Sequence, residues 1–497
     1  MSTGSYKQII RATSITGIAQ AILIVLKIIG NKFIAVIIGP AGIGYMGLLQ
    51  STIDIINNVS GLGLSSSAVR DVAYASASKD SKKISTTIIV LKRLSIITGI
   101  AGTIFTLIFA NYLSNLAFHN YDHVNEFRLL SIVAFITIIA LGQQAILQGY
   151  RKLKEMAFAS IIGSMLGLIG TIPLFLIYGT NAIVPVIIIS ACIYLFTTWY
   201  FSKKVNHETI PLSMNETFQK SKSMIKLGFT IMLSGLFILI SIYQLRILIN
   251  HKLGIFYVGI FQAGWGIQAV YLQMLFQAMS RDYFPRLSAL SDSPKEMIKL
   301  VNEQLHIGIL IGAPIISVML LISPILIQLM YTSEFSSSVA LLQWLLLGTL
   351  LKIFAWPIAF ILPALKATKV YLFTEAIGSF GIWIIAWSII DKYGLEAIGL
   401  AYLLNYIFYI ILVFLIAHRL VSLKLDRFSY IAIGVSILLV GITFLSRPVN
   451  LISNTSIIIG ILSSCILITW SFFHLNRLTN FKETLLERIK NIGKAKN

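Results

Sequence analysis

Apolar and polar positions along this chain come in blocks and do not alternate at a short period. Long apolar runs are separated by brief polar connections. A helix needs about 20 apolar residues to cross a bilayer. Fourteen stretches reach that length: 13–38, 43–68, 86–110, 127–148, 157–177, 182–201, 227–249, 255–280, 304–330, 339–362, 370–390, 398–417, 428–446 and 456–474. The pattern predicts an all-α polytopic membrane protein with about 14 transmembrane helices. The longest polar segments lie at 202–226, 281–303 and 475–497.

A degraded repeat organises these spans. AGIGYMGLLQ at 41–50 matches LGIFYVGIFQ at 253–262, and Arg70-Asp71 recurs as Arg281-Asp282. Further along, YGTNAI at 178–183 matches YGLEAI at 393–398. Lys154 and Gly163-Ser164 recur at the same offset as Lys369 and Gly378-Ser379. The expected organisation is two six-helix lobes, 1–205 and 226–420, joined by a cytoplasmic linker at 206–225. Two further helices and a basic tail occupy 421–497. Both lobes start on the same side, so they are parallel repeats about an axis along the membrane normal. Such halves describe a secondary transporter with a central cavity that opens to each side by alternating access.

Composition agrees with this and removes other classes. The chain is 57% hydrophobic and only 12% charged, too little charged surface for a water-soluble fold. Its net charge of +20 would suit nucleic acid only if Lys and Arg gathered on one accessible face. They lie instead in short connections, so no nucleic-acid partner is expected. Arg128, Lys252, Lys392 and Arg447 lie on one side, and Lys27, Lys32, Arg246 and Lys352 fall within or at the ends of apolar runs. Every other one of the 39 Lys and Arg lies on the N-terminal side, which puts both termini in the cytoplasm. Lys7 and Arg11 precede the first run, which has no small-residue cleavage site and so reads as a retained helix. Cys192 and Cys465 sit inside apolar runs and imply no disulfide framework, and the seven His residues have no metal-ligand spacing.

Charges inside the membrane cost at least a few kcal/mol each and mark function by default. Lys27 and Asp54 sit near the middle of the first and second spans, where similar depth would let them pair. Lys352 lies in the middle of the tenth span and Glu375 early in the eleventh. Lys32 and Arg246 lie near the outer ends of the first and seventh spans, close enough to an interface to snorkel. Both halves therefore carry a cation in their first helix. With Lys352 added, the cavity would be positively charged and suited to an anion such as phosphate. Gln143, Gln144 and Gln148 offer hydrogen bonds either to sugar hydroxyls or across helices. No G-x-x-x-x-G-K-[ST] loop is present, so the drive would be an ion gradient, the membrane potential or downstream consumption of substrate. No cofactor is expected. The outer connection near 111–126 is short, and Asp122 and Glu126 form no convincing catalytic pair. That argues against an enzyme such as a membrane polymerase or glycosyltransferase.

The run K-F-I-A-V-x-x-G-P-A-G-I-G at 32–44 resembles the first-helix signature of Wzx-type polysaccharide flippases. These belong to the multidrug/oligosaccharidyl-lipid/polysaccharide exporter superfamily and move O-antigen or enterobacterial common antigen units. Tyr283-Phe284-Pro285-Arg286-Leu287-Ser288, Gln343-Trp344 with Lys352, and Ala367-Thr368-Lys369 followed by Tyr371 and Glu375 resemble the same group in the same order. The resemblance spans about residues 10–420. It implies an undecaprenyl-pyrophosphate-linked oligosaccharide as substrate, carried from the cytoplasmic to the periplasmic leaflet of a bacterial inner membrane. Membrane lipid and other polysaccharide assembly proteins would be partners. Lys27, Lys32, Arg246 and Lys352 would hold the pyrophosphate or acidic sugars. Asp54 and Glu375 would be counter-charges or a site for a coupling H⁺ or Na⁺. The departure is two helices beyond the twelve of similar flippases. A drug/cation antiporter of the same superfamily is the alternative, and it would want acidic residues in the cavity where Lys and Arg prevail.

Overall fold

The apolar blocks become long helices because a backbone in lipid satisfies its own hydrogen bonds only within a helix or a closed barrel. The computed structural model describes residues 3–78, 80–205, 210–446 and 454–479, with side chains from Ala19 onward except at 77, 234, 272–275, 277–282, 454 and 479. In order the helices are α1 (Thr3–Ser60), α2 (Leu64–Ala77), α3 (Ser81–Ile108), α4 (Ala110–Phe118), α5 (Val124–Gly149), α6 (Leu153–Tyr178), α7 (Ile183–Ser202) and α8 (Met214–Leu253). There follow α9 (Ile255–Ala289), α10 (Pro294–Met330), α11 (Ser338–Ala359), α12 (Ile361–Ala364), α13 (Thr368–Tyr393), α14 (Glu396–Val421), α15 (Arg427–Leu445) and α16 (Asn454–Thr479). No strand occurs among the described residues. Each predicted span falls mainly on one of these helices, the tenth running past α11 into α12. The first two share α1, which breaks at Gly39, where φ is 61° and ψ is −171°. Glycine takes that positive φ without a Cβ clash, and Pro40, lacking an N–H, opens the second segment without losing a hydrogen bond.

Two boundaries differ from the sequence expectation. The second span ends at Ser60 rather than 68, and α2 follows as a separate helix after a turn through Gly63, whose φ is 59°. The expected linker at 206–225 is helical from Met214. Ser213 Oγ accepts from the Glu216 amide at 3.1 Å, and Glu216 Oε2 accepts from the Ser213 amide at 2.8 Å. This S-x-x-E capping box starts α8 well before its apolar run begins.

The helices fall into two compact units. Unit 1 comprises Met1–Gly259 with Leu329–Glu334, and unit 2 comprises Ile260–Gln328 with Phe335–Asn497. Unit 1 therefore includes α8, which the sequence reading puts at the head of the second half. In unit 1, α8 packs on α1, α2 and α3, and α5 lies between α3 and α7. Leu91, Ile146, Leu147, Phe201 and Met224 form part of its core near the basic connections. The two matching segments meet here at backbone distance. A Cβ on Gly44 would lie 2.2 Å from the Ile255 carbonyl oxygen, and one on Gly259 only 1.9 Å from that of Pro40.

Unit 2 is built on α11 against α14, with α13 beside α14. The last pair, α15 and α16, is fastened to α10 by buried hydroxyls: Ser317 bonds Thr443 at 2.9 Å and Ser464 at 2.7 Å, and Thr443 bonds Ser463 at 2.8 Å. The sequence repeat returns as repeated backbone. Helices α6 and α13 are each 26 residues long and end on Gly179 (φ 55°, ψ −131°) and Gly394 (φ 55°, ψ −135°). Each follows a left-handed residue, Arg151 at φ 55° and Lys366 at φ 57°.

Candidate functional site

In unit 1 the membrane-embedded charges do not gather in one place. Arg246, on α8, is 8% exposed. Its guanidinium donates to the Gly47 carbonyl at 3.1 Å and to Ser51 Oγ, both on the second segment of α1. One turn on, Asp54 accepts from Gln50 Nε2 at 2.9 Å and lies near enough to attract Arg246 electrostatically. Thr52 and Tyr243 bond at 3.0 Å alongside. A charge placed so deep is stable only with such partners.

Lys27 and Asp54 do not pair. The break at Gly39 separates their helical segments: Asp54 faces α8, whereas Lys27 lines a groove of about 550 Å³ with Ser160 and Ser164 of α6 and Ser190 and Tyr194 of α7. Lys32 donates to the Tyr331 carbonyl, and Asn31 reaches the Tyr331 hydroxyl at 3.3 Å. Lys27, Lys32 and Arg246 thus have three different surroundings within unit 1. Asp54 also lines a cavity of about 360 Å³ with Asn57, Asn58, Ser65, Ser66 and Ser95.

In unit 2, Lys352 and Glu375 do come together, inside a nest of tyrosines. The Lys352 ammonium lies 5.4 Å from the Tyr406 ring and 5.9 Å from that of Phe276, within cation–π range. Glu375 accepts from the Tyr409 hydroxyl at 3.2 Å and attracts Lys352 without touching it. Gln268, on α9, donates to Thr349 at 2.9 Å and to the Tyr402 hydroxyl at 3.0 Å. Both charged groups are half-buried. Their remaining hydrogen-bonding capacity fits an anion at the ammonium and a proton or small cation at the carboxylate.

The glutamines on α5 serve packing. Gln143 accepts from Thr198 at 3.0 Å and Gln144 from Tyr194, both on α7, while Gln148 is exposed. The sequence reading missed a cavity of about 920 Å³ in unit 1. It lies where the connections after α4, α6 and α8 converge, and Tyr45, Phe118, His123, Glu126 and Asn181 are in its wall. Its polar residues come from connections far apart in the chain, with no local spacing to reveal them. No cluster of three His, Cys, Asp or Glu suited to a metal occurs among the described residues.

A broken first helix, repeated helix pairs and charges held inside apolar spans define a multi-pass α-helical membrane protein. Solved structures share this fold. An inward-facing multidrug resistance MATE family transporter of the MOP superfamily aligns with a TM-score of 0.68 at 18% identity, over 80% of this chain and 95% of that one. The lipid II flippase MurJ, in an inward closed conformation, aligns with a TM-score of 0.68 at 15% identity, over 94% of this chain and all of its own. The chain belongs to the polysaccharide biosynthesis protein family, whose model matches residues 33–340. Among curated relatives, the lipid III flippases of Escherichia coli (strain K12) and Shigella flexneri are each 24% identical over 395 residues, 76% of this chain and 91% of the relative.

Proposed function

We propose that this protein flips a polyprenyl-pyrophosphate-linked oligosaccharide, a polysaccharide repeat unit of the O-antigen type, between the leaflets of a bacterial inner membrane. Transport runs from the cytoplasmic to the periplasmic side, with both termini cytoplasmic, by alternating access. The observation that carries this is the Lys352–Glu375 nest: a cation and an acid held half-buried in apolar helices without direct contact, in a chain of the polysaccharide biosynthesis family. A pyrophosphate–sugar head group crosses lipid slowly because its charges and hydroxyls lose water there. Lys352 offsets that loss by offering an ammonium, and Tyr406 and Phe276 keep the ammonium in place. Lys27, exposed in its groove, is a second contact for the head group. Arg246 and Lys32 act closer to structure, holding α8 and the 329–334 segment against α1. Coupling to H⁺ or Na⁺ falls to Glu375 or Asp54. The lipid III flippases and the lipid II flippase named above support a lipid-linked glycan as the cargo class.

The test is complementation in a strain that depends on this gene, with Lys352→Ala and Lys27→Ala, scoring surface polysaccharide and lipid-linked intermediate together. Intermediate that accumulates on the cytoplasmic side supports flipping. Unpolymerised units on the periplasmic side would point to a polymerase, and normal polymer with both substitutions would remove the role given to the cations.

A further inference from the structure

The 920 Å³ cavity of unit 1 has a chemistry unlike that of the cationic residues. It lies at the end of the unit where the connections carry few Lys or Arg, and none lines it. Asp122 and Glu126 put negative charge in its wall, and Arg128 reaches only Asn125, at 3.5 Å. An anionic head group is repelled from such a wall. Four carboxamides, Asn120, Asn125, Asn181 and Asn250, line the same space. Asn120 accepts from the Asp122 amide, Asn125 from Arg128, and Asn250 donates to the Ala117 carbonyl; the rest of their donors and acceptors are left for a ligand. Tyr45, Phe118 and His123 add a cluster of aromatic rings, with centroids 4.3–5.2 Å apart and planes tilted by 39–54°. Amides, carboxylates and aromatic side chains together recognise sugar rings, whose edges carry hydroxyls and whose faces are apolar.

Two observations show that this lining is not simply holding the fold together. Glu126 faces His123 at 3.5 Å through Oε1, but its buried Oε2 meets no hydrogen-bond donor at the cavity wall, and an unmet buried acceptor is costly. The repeat supplies the second. Asn181 of YGTNAI corresponds to Glu396 of YGLEAI, on the same backbone turn. Glu396 accepts from the Trp344 indole at 3.1 Å, whereas Asn181 is exposed and bonds nothing among the described residues. One half uses the position for packing; the other leaves it open to a ligand.

We propose that this cavity is a glycan subsite for uncharged, hydroxyl- and acetamido-bearing sugar rings. Its place in transport rests on the flippase reading: on the orientation given above it faces the periplasm and holds the distal sugars as the head group leaves. Its volume lies within the ~300–1,000 Å³ of small-ligand pockets, enough for a short oligosaccharide.

The experiment uses the full chain in lipid nanodiscs, with Cys192→Ser, Cys465→Ser and Ala41→Cys, so that the cavity rim carries the sole thiol. Maleimide labelling is timed with the trimer of N-acetylglucosamine, with trigalacturonate and with inorganic pyrophosphate. The trimer is expected to slow labelling about fivefold or more at ~50 mM, well above the millimolar affinity of a few neutral hydrogen bonds. The two anions should leave labelling unchanged. Adding Asn181→Ala, at an exposed position, should weaken protection about tenfold. No protection by the trimer, equal protection by pyrophosphate, or protection indifferent to Asn181→Ala each overturns the subsite. Complementation by Lys352→Ala and by Lys27→Ala is scored in parallel. Lost polymer without sugar protection sinks this inference alone. Protection with Lys352→Ala and Lys27→Ala both harmless leaves the subsite standing and removes the role given to the cations.

Discussion

Replacing Arg246 with Met is the most informative single change to the first unit. The methionine fills similar space but removes a charge that is 8% exposed, the hydrogen bonds to Gly47 and Ser51, and the attraction to Asp54. Breaking a buried pair from one side typically costs about 3–5 kcal/mol. Asp54 is only half-buried and keeps its bond from Gln50, so solvent screens part of the attraction and the lower end, about 3 kcal/mol, applies. Asp54→Asn removes the stranded carboxylate. The double variant should therefore recover about 1–2 kcal/mol relative to the sum of the singles. Unfolding of the purified protein in mixed micelles, followed by tryptophan fluorescence, measures all four corners of the cycle. A loss below ~0.5 kcal/mol for Arg246→Met, the range of an ordinary surface change, would refute the reasoning. Strict additivity would show that Arg246 and Asp54 do not act on each other.

Three further outcomes follow from the geometry. Gly259→Ala should collapse the yield of folded protein, because its Cβ would sit 1.9 Å from the Pro40 carbonyl oxygen; Gly434→Ala, with nothing within 4 Å, should fold normally, and size-exclusion yield compares them. Ser317→Val strands the hydroxyl of Ser464, while Thr443 keeps Ser463 and the Leu439 carbonyl, and should cost about 1–3 kcal/mol, read as faster proteolysis within α15 and α16. Asp426 caps α15 through the Ser429 amide at 2.7 Å and bonds His306 at 3.0 Å. Burial pushes its carboxyl up, but these bonds outweigh it and hold the group below the usual carboxylate range. Its stabilisation is then fully present above the unfolded value near ~3.9 and lost only as pH falls through the lower folded value. Thermal scans should show wild type above Asp426→Asn at neutral pH, with the two converging only in strong acid.

The spans were legible because lipid demands the same thing everywhere, a long apolar helix, and such blocks need no tertiary context to recognise. The repeat was legible because its turns are set by short local sequence: YGTNAI and YGLEAI end α6 and α13 with the same glycine torsions. Capping at Ser213–Glu216 was present in the sequence too, hidden by the polar character of its surroundings. Which face a charge takes was not legible. Lys27 and Asp54 look like partners until the torsion at Gly39 turns their segments apart, and a one-dimensional count of depth carries no such angle. Arg246 read as a residue near an interface, yet it is buried against Gly47 and Ser51, some two hundred positions away in sequence. The sugar-sized cavity draws Tyr45, Asn120, Asn181 and Asn250 from four separate places, so only the fold assembles it.

The most direct test of the transport claim is a flipping assay with the purified chain in proteoliposomes. A polyprenyl-pyrophosphate oligosaccharide is placed in both leaflets, the outer pool is consumed by an impermeant glycosidase, and the rate at which the inner pool becomes susceptible is recorded. The wild-type protein should expose the inner pool, with Lys352→Ala slower by about tenfold or more, the equivalent of ~1.4 kcal/mol in the barrier. A wild-type rate equal to that of protein-free vesicles would contradict the account.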